Sequence, residues 1–333
     1  MKRFGNLYNK IYEADNLYLA YSKARKGKVK SYGVIRFEKE LDNNILSLQR
    51  ELKEETYKTS SYDVFKIYDP KERDIYRLPF RDRVVHHAIM NILERIWTPI
   101  FISQTYSSIK GKGIHGALNH LKPDLRSYSD ETKYCLKMDI RKFYPSINHE
   151  VLKVIIRKKI KDNRLLALLD EIIDSAPGVP IGNYLSQFFA NLYLSYFDHW
   201  LKEEKRIKYY YRYADDMVIL SDSKEKLHGL LKEISCYLTE KLHLELKGNY
   251  QIFPVESRGI DFVGYVFFHS HILMRKSIKK NFCRKVSRLN RKKTIAKEYR
   301  TCICSWIGWA KHCNSRNLIK KIIKNEEVLR SWH

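Results

Sequence analysis

The chain of 333 residues carries 63 Lys and Arg against 38 Asp and Glu, a formal net charge of +25 at pH 7. A hydrophobic share of 44% excludes a disordered basic tail, and the length allows several subdomains with sizeable cores. An isoelectric point near 9.6 predicts a polyanionic partner, with nucleic acid the first candidate.

The start of the chain, Met1 to Asn6, lacks an apolar stretch long enough for a signal peptide, and no apolar run approaches membrane-spanning length. The six cysteines form no paired framework, so a reducing cytoplasm is the predicted compartment. Residues 1 to about 60 read as charged helices. They include a basic run over 23–30 and an apolar stripe at Leu41, Ile45, Leu48 and Leu52. Tyr62 to Phe80 reads as extended with a turn at Asp69-Pro70, and a helix follows through Val84 to Leu93. Arg77 and Arg81 flank this junction. A planar guanidinium suits paired phosphate oxygens, although salt bridges are an equal use for it. Ser107 to Gly113 is a loop of small and basic residues with Lys110 and Lys112, whose glycines permit close approach to an anion.

Tyr134 to Asp139 alternates with period two and predicts a strand ending at Asp139, before Pro145. Helices are predicted over Glu150 to Asp174. A Gly/Pro loop, Gly178-Val179-Pro180-Ile181-Gly182, then opens into a long helix with Ser186, Gln187 and core aromatics. Two strand-forming runs over 208–221 flank a tight turn with adjacent aspartates, Asp215 and Asp216. Glu225 to Leu242 is an amphipathic helix, His243 to Gln251 reads as strand and holds Lys247, and Gly259 to Phe268 is a second hairpin. From Arg275 onward helical patterns dominate, with 18 Lys or Arg against three Glu. Such a basic helical segment suits duplex binding. Cys302, Cys304, His312 and Cys313 lack the C-x2-C spacing of structural zinc sites and read as ordinary residues of a helical region.

An Asp pair in a turn is by itself a common solvated feature. A third carboxylate at the end of another strand changes the reading. Asp139, Asp215 and Asp216 at neighbouring strand ends would suit two divalent cations about 4 Å apart, the arrangement of in-line phosphoryl transfer.

In these motifs and their order the chain resembles the reverse transcriptases. Tyr213-Ala214-Asp215-Asp216 is similar to their active-site hairpin and Asp139 to the carboxylate of their first metal strand. The resemblance spans about residues 62 to 270. Ile181-Gly182, Ser186-Gln187 and the segment Arg77 to Arg83 resemble the subgroup from diversity-generating retroelements, whereas Ala214 is also found in intron-type relatives.

The resemblance implies an α+β right-hand polymerase fold: fingers, a palm with a ferredoxin-like antiparallel sheet, and a helical thumb. The expected division is an N-terminal helical region over 1–60, fingers and palm over 61–270 (fingers mainly 61–130, palm mainly 131–270), and a basic thumb over 271–333. The implied activity is RNA-directed DNA polymerisation with two Mg2+ ions, Mn2+ being a substitute. Asp139 and Asp215 would bridge the ions, with Asp216 nearby and the Ile140 carbonyl completing a shell. Arg77, Arg81, Lys110, Tyr144, Ile181, Gly182 and Lys247 are the implied dNTP-binding residues, with Tyr144 excluding a 2′-hydroxyl. Ile181, Ser186 and Gln187 are implied in fidelity. Lys112, Tyr213, Gly264, Arg284, Lys285, Arg288, Arg291 and Lys292 are candidates for nucleic-acid contact. The implied partners are dNTPs, a template RNA, the cDNA/RNA duplex and a small basic oligomeric accessory protein, in a bacterial or phage-encoded system without membrane association. The product would be cDNA with errors opposite template adenines, used in mutagenic retrohoming. Competing readings are a retron, intron or phage-defence reverse transcriptase, or a non-catalytic RNA-binding scaffold.

Overall fold

The computed structural model describes residues 2–68, 72–292 and 295–330; the expected Asp69-Pro70 turn lies outside them. Helices α1 (Tyr8–Ile11), α2 (Ala14–Arg25), α3 (Tyr32–Glu38) and α4 (Leu41–Lys53) come first, followed by strands β1 (Asp63–Ile67) and β2 (Arg73–Arg77). Next are α5 (Phe80–Trp97), α6 (Ile114–Ser127), β3 (Tyr134–Asp139), α7 (Phe143–Ser146), α8 (His149–Arg157), α9 (Asn163–Asp174) and α10 (Tyr184–His199). Strands β4 (Tyr210–Tyr213) and β5 (Asp216–Ser221) lead to α11 (Lys224–Leu242), β6 (Gln251–Pro254) and α12 (Val255–Arg258). Strands β7 (Ile260–Phe262), β8 (Tyr265–Phe267) and β9 (Ile272–Met274) precede α13 (Lys276–Arg291), α14 (Ala296–Ala310), α15 (Arg316–Ile322) and α16 (Glu326–Arg330).

The chain divides into two units. One comprises Met1–Ile109, Ile140–Arg206 and Glu233–Lys247. In it, α5 packs against α2 and α10, with Leu17, Ala20, Val84, Val85, Ile89, Leu93 and Trp97 buried. Asn148 caps α8 by accepting from the Val151 N–H, and Asp162 caps α9 by accepting from the Leu165 N–H. Asp162 also accepts from the N–H groups of Leu7 at 2.6 Å and Tyr8 at 3.0 Å, so one carboxylate secures both a helix start and the N-terminal segment. Strands β1 and β2 form a separate antiparallel ribbon in this unit.

The other unit comprises Lys110–Asp139, Ile207–Lys232 and Gly248–His333. It holds a four-stranded sheet in the order β4-β5-β3-β6, with β3 antiparallel to both β5 and β6. This is the strand order of a ferredoxin-like β-α-β-β-α-β unit. Both faces of β3 and β5 are largely buried, with Cys135, Leu136, Met138, Met217, Val218, Ile219 and Leu220 inside. A three-stranded sheet, β7-β8-β9, follows. The basic C-terminal helices close around their own core of Phe282, Val286, Tyr299, Ile303 and Ile319.

Three expectations are corrected. His243 to Gln251 is not a strand. Leu246 makes a single bridge to Ile140, a turn follows at Gly248-Asn249, and pairing begins only at Gln251. Glycine and asparagine favour a turn and interrupt the alternation that the apolar residues suggest. The hairpin turn does not carry both aspartates, because Asp216 is the first residue of β5. The helix expected from Val84 begins at Phe80, just after Pro79.

Candidate active site

Residue pairing brings two of the three aspartates face to face. Asp139, the last residue of β3, is opposite Asp216, the first of β5. Directly opposed residues of antiparallel strands have Cα atoms about 4.5–5.5 Å apart. Tyr213 pairs with Asp216, which leaves Ala214 and Asp215 as a two-residue turn. All three aspartates are half-buried. Ala214 has φ 55°, in the left-handed region where a residue bearing a Cβ costs about 1–2 kcal/mol. Arg212, itself fully buried, donates from Nη1 to the Ala214 carbonyl at 3.0 Å and holds the turn.

Like charges opposed across strands repel one another. Lys137, two residues before Asp139 on the same face of β3, forms an ion pair with Asp216. Its ammonium lies 5.0 Å from the centroid of the Phe262 ring. Burial pulls the Lys137 ammonium down to about 8, the Arg275 guanidinium acting in the same direction and the carboxylates of Asp261 and Asp139 opposing it. One lysine therefore faces two opposed carboxylates with a third in the adjoining turn, a hard-oxygen donor set suited to Mg2+. Among the described residues no group of three or more His, Cys, Asp or Glu side chains converges as a complete metal cage. Mg2+ commonly takes only one or two carboxylates and fills its remaining positions with water and substrate phosphates.

In the first unit, the loop over 178–183 is tied at both ends. Val179 donates its N–H to the Tyr144 carbonyl at 2.9 Å, and Tyr76 of β2 donates to the Ile181 carbonyl at 2.9 Å. Gly178 has φ +60°, and a Cβ there would lie 2.5 Å from the Pro145 carbonyl oxygen. Gly182 has φ +123°, and a Cβ would lie 2.8 Å from the Tyr76 carbonyl oxygen. Backbone thus approaches backbone at both glycines. Tyr144 and Ile181 are half-buried, Ser186 is buried in the first turn of α10, and Gln187 is exposed. Beneath the loop a cavity of about 10 Å³ is lined by His86, Asn183, Ser186 and Phe189 among others. The two ring nitrogens of His86 have no hydrogen-bond partner, and burial pushes its pKa down to about 3.

The candidate phosphate-binding residues are differently engaged. Arg77 pairs with Asp63, and Arg81 pairs with Glu51 and lies over the Tyr57 ring. Lys110 is exposed, and Lys112 and Lys247 are half-buried. Burial, with the nearby Arg212 guanidinium, lowers the Lys112 pKa. Ile140 bridges to Leu246 in the first unit. Tyr213 is half-buried at the end of β4. Gly264 sits in the β7–β8 turn, where a Cβ would meet the Trp309 ring at 2.3 Å, so close packing against α14 requires glycine. On α13, Phe282, Val286 and Leu289 face inward, while Arg284, Arg288 and Arg291 lie exposed at helical spacing, with Lys285 half-buried and Lys292 exposed just beyond. Cys302 and Cys313 pack against the C-terminal core, and His312 stacks on His115 with ring centroids 4.0 Å apart.

Sequence reasoning passed over Lys137, Arg212 and His149. The period-two spacing of Lys137 from Asp139 was a usable signal. No local pattern marked Arg212 as a buried turn clamp or His149 as a contact of the 178–183 loop.

A ferredoxin-like sheet with carboxylates opposed at adjacent strand ends defines a nucleotidyl-transfer palm of the polymerase type. Residues 69–267 match the family described as reverse transcriptase (RNA-dependent DNA polymerase), and the chain belongs to that family. It is similar to Protein YkfC of Escherichia coli, 24% identical over 276 residues that cover 68% of this chain and 71% of that protein. It is also similar to the group II intron-encoded protein LtrA of Lactococcus lactis, 22% identical over 343 residues that cover 79% of this chain and 56% of LtrA. Among solved structures, apo telomerase from Candida tropicalis has the same fold, with TM-score 0.52 and 13% identity over 83% of this chain and 61% of that one. The chain therefore spans little more than half the length of LtrA and of the telomerase. The fold is the α+β fold of reverse transcriptase polymerases, and the family activity is RNA-directed DNA polymerisation. No described helix is long and apolar enough to cross a membrane.

Proposed function

We propose that this chain copies a template RNA into cDNA by two-metal phosphoryl transfer, and that it is the reverse transcriptase of a diversity-generating retroelement. The observation that carries the chemistry is the cross-strand pairing of Asp139 with Asp216 beside the Ala214-Asp215 turn. In this reading Asp139 and Asp215 hold two Mg2+ ions, with Mn2+ as a substitute, Asp216 lies beside them, and the Ile140 carbonyl contributes a further oxygen. When bound, the ions supply the positive charge that stabilises the attacking and leaving oxygens. Lys137 holds Asp216 in place and limits carboxylate repulsion before the ions bind. Arg77, Arg81 and Lys110 neutralise triphosphate charge, the dominant demand of phosphoryl transfer, and Lys247 protonates the leaving pyrophosphate. Arg77 and Arg81 would exchange their present carboxylate partners for phosphate oxygens, whereas exposed Lys110 makes no ion pair among the described residues. Tyr144 excludes a 2′-hydroxyl, and Gly182 lets the nucleotide approach the backbone.

The retroelement assignment rests on Ile181 and the Ser186-Gln187 pair. An aliphatic side chain at 181 cannot make the hydrogen bond that an amide makes at this position in most relatives. Loss of one such bond is worth about 0.5–1.5 kcal/mol, up to about tenfold in selectivity. The proposed division is a helical region over 1–60, fingers and palm over 61–270, and a thumb over 271–333 whose Arg284, Lys285, Arg288, Arg291 and Lys292 grip duplex, with Lys112, Tyr213 and Gly264 toward nucleic acid. A template RNA and a small basic accessory protein complete the system.

The similarity to LtrA favours a second reading, an intron-type reverse transcriptase with faithful copying. Primer extension on the neighbouring non-coding transcript, followed by product sequencing, separates the two. The retroelement reading predicts errors concentrated opposite template adenines and reduced in Ile181→Gln. Evenly faithful product from both proteins would leave the intron-type reading.

A further inference from the structure

Backbone bonds hold the ends of the 178–183 loop, and one side chain holds its start. His149, the first residue of α8, has Nε2 2.8 Å from the Gly178 carbonyl and Nδ1 3.0 Å from Asp174 Oδ1 at the end of α9. A carbonyl and a carboxylate only accept hydrogen bonds. Asp174 is also paired with Lys153, whose Nζ lies 2.8 Å from its Oδ2. Each ring nitrogen of His149 thus faces an oxygen acceptor, the Asp174 carboxylate on one side and the Gly178 carbonyl on the other. The loop start is thus anchored by a chain of contacts running Lys153, Asp174, His149, Gly178.

The neighbouring contacts carry the anchor to the two residues that matter. Gly178 is in van der Waals conflict with any side chain of its own because the Pro145 carbonyl lies against it, and the next residue, Val179, donates to the Tyr144 carbonyl. Three residues on, the Ile181 carbonyl is fixed by Tyr76. Beneath the loop, buried Val179 and Pro180 line a cavity of about 10 Å³ together with the unpartnered ring of His86. Moving Gly178 would move Tyr144 and Ile181 together.

We infer that His149 is a positioning residue of the nucleotide-selecting loop, setting the placement of Ile181 and Tyr144 without touching the nucleotide. This rests on the roles given to those two residues above. His149→Leu removes both ring nitrogens, while His149→Gln keeps an amide N–H for the Gly178 carbonyl. Loss of one hydrogen bond predicts a dNTP KM raised about three- to tenfold in His149→Leu with kcat changed less than about twofold, and most of the effect recovered in His149→Gln. Amide hydrogen exchange at Val179 and Tyr76, whose N–H groups bond to Tyr144 and Ile181, is expected to accelerate in His149→Leu and to recover in His149→Gln. Unchanged exchange at both amides in folded His149→Leu would overturn the anchor, whatever the activity. Accelerated exchange with an unchanged dNTP KM and error spectrum would overturn the positioning role. If exchange accelerates as expected while Ile181→Gln leaves selectivity untouched, the anchor stands and the role given to Ile181 falls.

Discussion

Gly182→Ala tests whether the loop against β2 is built as described. At φ +123° an L-residue is strained, at a cost of about 1–3 kcal/mol. The added Cβ would lie 2.8 Å from the Tyr76 carbonyl oxygen and 3.4 Å from Ile75 Cγ2. The first neighbour is backbone and cannot rotate away, so loop and strand must part. That breaks the 2.9 Å bond from the Tyr76 N–H to the Ile181 carbonyl, worth a further 0.5–1.5 kcal/mol or so. The two terms sum to roughly 1.5–4.5 kcal/mol, as an upper bound on the drop in unfolding free energy. A loop that yields locally would show a smaller drop together with a raised dNTP KM. Urea unfolding and steady-state dNTP kinetics on the same preparations read both. Gly229→Ala is the control: the residue is exposed in the middle of α11, a Cβ there meets nothing within 4 Å, and helix propensity predicts a gain of up to about 1 kcal/mol. Gly182→Ala with wild-type stability and wild-type KM would refute the reasoning.

Two further perturbations test the buried polar groups. His86 is neutral in the folded protein because burial holds its pKa near 3, against about 6.5 when unfolded. The unfolded chain takes up the proton first as pH falls, so this residue's contribution to stability is lost between about pH 6.5 and 3, by as much as about 5 kcal/mol. His86→Leu is expected to be more stable at pH 7 by about 1–3 kcal/mol and to lose less stability on acidification, measured by urea midpoints across that range. Equal slopes in the two proteins would contradict the assignment. Lys137→Met leaves Asp139 and Asp216 opposed without their cation, and is expected to lower the melting temperature in metal-free buffer and to show a larger stabilisation by added Mg2+ than wild type. The same Mg2+ response in both proteins would detach Lys137 from the site.

Much of the site was legible because its signals are local. The alternation of Tyr134 to Asp139 and the paired aromatic and β-branched runs around Asp215 determine strands directly, and all three strands form with the expected bounds to within two residues. The register was less accessible. That Asp216 rather than Asp215 opposes Asp139 depends on where a two-residue turn falls, and Ala214, without a glycine's freedom, gives little sign of adopting φ 55°. The His243 to Gln251 error has the same origin: apolar alternation at Leu244 and Leu246 suggests pairing, but the strand partner is taken only from Gln251 onward. Lys137 and His149 act through contacts across 79 and 25–29 residues of chain, which no window along the sequence reports.

The most direct measurement is primer extension on an RNA template with dNTPs and Mg2+, run side by side on wild type, Asp139→Asn and Asp215→Asn. Extension by wild type and at least about a hundredfold loss in each variant, the rate equivalent of about 3 kcal/mol, is the predicted result. Either folded variant extending the primer at the wild-type rate would contradict a shared role for these carboxylates in joining nucleotides.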